Sequence, residues 1–138
     1  MGVDGIDHIN VYSQGKTELG RKLSNFAWTP FEIPGLGRFE SVESYWYATI
    51  TGVDALRSLV GYQAKKFGIR YPVIRSHPTK EELKIAYLAK LDAHPMIKEM
   101  LIQNNLPLKH YYIYGGKAME PKQWQWTVTL WEEIKSEL

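Results

Sequence analysis

Glu43 is the carboxylate whose setting best suits chemistry. It follows Ser41, whose hydroxyl can accept from the orphan amides of a helix start, so it falls in a first turn where the helix dipole favours an anion. An ionised carboxylate held there can bind a ribose hydroxyl or stabilise positive charge developing at an anomeric carbon. The same residue also serves as a plain capping acid. Asn25, upstream, offers donors and an acceptor suited to ribose or phosphate, although asparagine also simply makes turns. Phe26 can stack on a base or fill the core. Arg21 and Lys22, just before that turn, can meet a pyrophosphate or stay solvated.

Other familiar sites are absent. There is no phosphate-binding Gly-x-x-x-x-Gly-Lys-Ser/Thr and no Gly-x-Ser-x-Gly, and Gly35-Leu-Gly37 lacks the third glycine of a dinucleotide fingerprint. His8, His77, His94 and His110 are scattered without ligand spacing, so neither a metal nor another cofactor is expected. The absence of cysteine excludes disulfides and thiolate chemistry and fits a reducing compartment, with the cytoplasm as the default. Seventeen basic and 15 acidic residues are too balanced for a broad nucleic-acid clamp. No run approaches the ~20 apolar residues of a membrane span, and the first ten residues lack the apolar core of a signal peptide, so no membrane association is expected.

These residues need elements to position them. At 138 residues the chain fits one domain, 1–138, with 44% hydrophobic residues to fill its core. Ile9 to Tyr12 alternates like a strand, and the polar stretch through Lys22 reads as a loop. Strands are expected near Pro30–Ile33 and Gly37–Glu40, then a helix from Val42 to about Thr51 capped by Ser41. Val53 to Phe67 suggests a broken helix ending at Gly68. Thr79-Lys-Glu-Glu82 is a capping box that opens a helix to about Leu91, with Leu83, Ala86, Tyr87 and Leu91 inward and Lys80, Glu81, Lys84 and Lys90 as its solvated face. A helix from His94-Pro95 should carry Met96, Met100 and Leu101 inward until Asn104-Asn105. Lys109 to Tyr114 reads as a strand before a Gly115-Gly116 turn. Trp124 to Leu130 fits strand or helix, and the Trp131-Glu-Glu-Ile-Lys-Ser-Glu tail favours helix. The expected class is α+β, mostly helical, with a small sheet of short strands.

Four pieces resemble, in order and spacing, the opening of NADAR domains: Ile9-Asn-Val-Tyr-Ser13, Leu23-Ser-Asn-Phe26, Pro30-Phe31, and Phe39-Glu-Ser-Val-Glu-Ser-Tyr-Trp-Tyr-Ala48. The segments Ala89 to Ile102 and Leu130 to Ile134 are similar to that family's later helices. The resemblance implies a NADAR-type fold that recognises an ADP-ribose-like nucleotide, an N-ribosyl compound or ADP-ribosylated nucleic acid. The implied reaction is hydrolysis of an N-glycosidic bond, such as removal of ADP-ribose from guanine. It implies Glu43 as the catalytic residue and Arg21, Ser24, Asn25, Phe26, Tyr45 and Trp46 around the ligand, without a metal, in an accessory protein of a bacterium or its phage.

The chain departs from the family where members commonly carry a lysine, seven residues after the helix glutamate, that forms an imine with the opened sugar. That position is Ile50, which has no nucleophile to offer. The family's late glutamate, followed by an Asp and a Trp-Gly pair, is also missing from Lys109 to Lys117. A binding or interaction module that has lost the chemistry is therefore the alternative reading.

Overall fold

The computed structural model describes Gly2–Leu138. In chain order the elements are β1 (Ile9–Asn10), α1 (Glu18–Leu23), β2 (Phe31–Ile33), β3 (Gly37–Phe39), α2 (Val42–Thr51), a 3-10 helix at Asp54–Ser58, α3 (Gly61–Gly68), α4 (Lys80–Ala93), α5 (Pro95–Gln103), β4 (Leu108–Lys109), β5 (Tyr112–Tyr114), β6 (Lys117–Met119), a 3-10 turn at Lys122–Trp124, and α6 (Gln125–Glu137). The class is α+β, with six helices and three two-stranded sheets among the described residues. No helix among them is long and apolar enough to cross a membrane.

The chain divides into two compact units, Met1–Ser24 with Met96–Leu138, and Asn25–Pro95. In the first, β1 and β4 pair in parallel, Ile9 opposite Leu108. A side chain extends that pairing: Asn10 Nδ2 donates to the Tyr111 carbonyl at 3.0 Å and Tyr111 N donates back to Asn10 Oδ1 at 3.0 Å. Helix α6 buries Val128, Trp131 and Ile134 at helical spacing, and its Glu132 carboxylate accepts from the Leu108 amide at 2.6 Å. The helical reading of the C-terminus holds from Gln125 onward.

Two expectations in this unit are corrected. The stretch before Leu23 is a helix, because Thr17 caps it by accepting from Gly20 N at 2.9 Å and Glu18 occupies its first turn. In α5, Met96 is 79% exposed, whereas Leu101 is buried as expected and Ile97 is buried with it. Those two lie four residues apart on one face, a phase that turns Met96 outward.

In the second unit β2 and β3 form an antiparallel hairpin with Phe31 opposite Phe39. Their rings stack at 5.8 Å, and Tyr45 of α2 meets Phe39 edge-on at 5.1 Å. Helix α4 packs against β2 and has the expected capping box, Thr79 accepting from Glu82 N at 3.1 Å while Glu82 accepts from Thr79 N at 2.8 Å. Lys90, assigned above to the solvated face, is fully buried. It stands seven residues after Leu83 and four after Ala86, within the inward stripe, so helical phase overrides its charge in placing its Cα.

Candidate functional site

The local sequence Ser41-Val-Glu-Ser44 builds the start of α2 more tightly than one cap would. Ser41 Oγ accepts from Ser44 N at 3.1 Å, and Ser44 Oγ accepts from Ser41 N at 3.1 Å. Ser44 Oγ also donates to the Leu59 carbonyl. Its only hydrogen is thereby used, so in the 2.6 Å contact between the two hydroxyls Ser41 is the donor. Ser41 Oγ further accepts from Gly61 N at 3.0 Å, so one hydroxyl closes the starts of both α2 and α3.

From these joined starts α2 and α3 run side by side in the same direction. The Tyr47 ring sits where a Cβ at Gly68 would be, one helix length on. Gly61 has φ +44° and a Cβ there would overlap the Phe26 carbonyl oxygen, so only glycine lets the segment before α2 approach α3 so closely. That segment is also held by Glu43 itself, whose backbone amide donates to the Asn25 carbonyl at 2.9 Å.

This arrangement brings three side chains together. Glu43 projects from the first turn of α2, Lys65 from the second turn of α3, and Phe26 from the turn between them. The Lys65 ammonium lies 5.9 Å from the centre of the Phe26 ring. Glu43 is half-buried, its carboxyl oxygens still reach solvent, and no hydrogen bond to that carboxyl forms among the described residues. Desolvation pushes its pKa up to about 7, and the charge of Lys65 opposes part of the rise. The helix dipole expected to keep the acid ionised is outweighed by the removal of water. A carboxyl near half ionisation at neutral pH can accept or donate a proton, which a plain capping acid at its ordinary pKa does poorly.

The other expected ligand residues divide between the units. Asn25 and Phe26 stand at the mouth of α2, and the Asn25 side chain is half-buried. Tyr45 and Trp46 are buried residues of α2, and burial pushes the Tyr45 phenol up. Arg21 and Ser24 belong to the first unit. Arg21 lies in α1 and donates to the Gly15 carbonyl at 2.9 Å, and buried Ser24 ends that helix. Ile50, where the NADAR resemblance would place a lysine, is 5% exposed. Lys65 was not singled out in the sequence, because its nearness to Glu43 arises only from the pairing of α2 with α3.

The histidines take structural partners. His94 ends α4 and bonds the Pro30 carbonyl at 2.8 Å, His110 bonds the Val11 carbonyl at 2.7 Å, and buried His8 bridges Asp7 and the Tyr111 hydroxyl. Among the described residues, no three potential ligands gather as a metal site. A separate open groove of about 650 Å³ runs between the β2–β3 hairpin and α4, walled by Pro30, Glu32, Arg38, Leu88 and Asp92. Neither Glu43 nor Phe26 lines it. The chain matches no protein-family model, and no characterised protein or solved structure matches it either.

Proposed function

We propose that the Glu43 site takes an ADP-ribose-type or N-ribosyl nucleotide and hydrolyses its N-glycosidic bond. The reading is carried by the half-buried Glu43 carboxyl, free of protein hydrogen bonds and with its pKa pushed up to about 7, beside an aromatic ring and an ammonium. A nucleotide offers each of these a complement. The ribose hydroxyls meet the acid, the base lies on Phe26, and a phosphate is drawn to Lys65. In the hydrolytic step a water oxygen bonds to C1′ as the C1′–N bond breaks. The ionised Glu43 stabilises the positive charge developing at C1′ and accepts a water proton, while the departing base nitrogen takes up a proton. No lysine imine enters this scheme, in keeping with Ile50.

The test follows an oligonucleotide bearing ADP-ribosylated guanine by mass spectrometry, with Glu43→Gln in parallel. Release of ADP-ribose by the wild type and its loss in Glu43→Gln support the hydrolase. ADP-ribose binding by calorimetry without release leaves a binding module at the same site. Absence of both overturns the nucleotide reading.

A further inference from the structure

The β5–β6 hairpin is a two-stranded antiparallel ribbon whose strand residues are all exposed. Tyr114 and Lys117 face each other across Gly115-Gly116, whose φ values of +57° and +78° give the two-residue turn that matches strand twist. All six strand residues are exposed, with Tyr114 at 81%, Met119 at 55% and Ile113 at 53%. The two strands pack chiefly on each other. Two strands alone are marginal in water, and an apolar surface left open on them marks a binding surface.

The arrangement of residues specifies what binds. Tyr112 and Tyr114 alternate onto one face of β5, about 7 Å apart along the strand, and Lys117 lies opposite Tyr114 on β6. The Tyr112 ring is braced edge-on by Tyr12 at 5.5 Å and by His110 at 5.0 Å, so this tyrosine is already oriented. Between Lys109 and Lys122 there are three lysines against Glu120, an excess of two positive charges that equals the formal net charge of the whole chain. Stacking faces with adjacent ammonium groups are the requirement for bases and phosphates of an unpaired strand, whereas a protein interface core is depleted in lysine. We infer that the β5–β6 hairpin is a docking platform for single-stranded nucleic acid, with bases stacking on Tyr112 and Tyr114 and Lys117 meeting a phosphate.

Fluorescence anisotropy with a labelled, unmodified oligo(dT) of about 15 nucleotides tests this at low and moderate salt. Because the probe carries no ADP-ribose, its outcome is independent of the Glu43 reading. The expected result is salt-sensitive binding, weakened about tenfold by Tyr114→Ala and retained by Tyr114→Phe. Lys117→Ala should lower the slope of log affinity against log salt by about 0.7. Absence of binding at low salt, or Tyr114→Ala binding like the wild type, overturns the proposal. Self-association that Tyr114→Ala abolishes, without oligonucleotide binding, would assign the hairpin to a second copy instead.

Discussion

The amide of Glu43 donates to the carbonyl of Asn25 at 2.9 Å, so the acid and the turn preceding the β2–β3 hairpin are joined through backbone as well as sharing a site. Replacing either side chain leaves this link in place. Effects of such variants on ligand binding therefore report side-chain chemistry rather than loss of the turn.

The raised pKa of Glu43 fixes a sign for stability against pH. Its folded value of about 7 exceeds the ordinary 4.5. Below the ordinary value both folded and unfolded states are neutral and nothing is lost; ionisation then disfavours the folded state progressively up to about pH 7, by at most about 3 kcal/mol. Glu43→Gln removes the titration. Urea midpoints at pH 5 and pH 8 should therefore converge in the variant, while the wild type is the less stable at pH 8.

Lys65→Met removes the cation that opposes the desolvation of Glu43. The Glu43 pKa should move further upward, read from its side-chain carbon resonance in an NMR titration. ADP-ribose affinity should fall about tenfold, as one charge-assisted contact contributes about 1.5 kcal/mol or more. An unchanged pKa together with unchanged affinity would remove Lys65 from the site.

Ser41→Ala deprives the amides of Ser44 and Gly61 of their acceptor. The expected cost is about 2–3 kcal/mol in denaturant unfolding, more than one lost helix cap. A cost below about 1 kcal/mol would mean that α3 does not depend on the shared hydroxyl.

Ile50→Lys places an ammonium at a position only 5% exposed. Stability should fall by roughly 2–4 kcal/mol, and borohydride should trap no imine with an ADP-ribosylated oligonucleotide. A trapped adduct would show that the position opens onto the sugar.

Where local chemistry decides structure, the sequence was legible. Ser41 and Thr79 marked the starts of α2 and α4, and the Gly115-Gly116 pair marked a turn. Helix α1 was obscured because it has only six residues, half of them charged, and includes Gly20, whose missing Cβ leaves room for the Asn10 carbonyl. Lys90 shows the opposite failure, since residue type was given more weight than its place on the Leu83 stripe. Within the site, Glu43 was visible from its helix-start position. Its partial burial, and Lys65 beside it, depend on how α2 meets α3, which no local spacing encodes.

The hydroxyl of Ser41 has a consequence for how this site tolerates change. The helices that carry the acid and the ammonium share an anchor at their origins, the Ser41 hydroxyl. Charge can therefore be altered at either position while the scaffold persists, so that shape and reactivity are free to diverge independently in descendants of this chain.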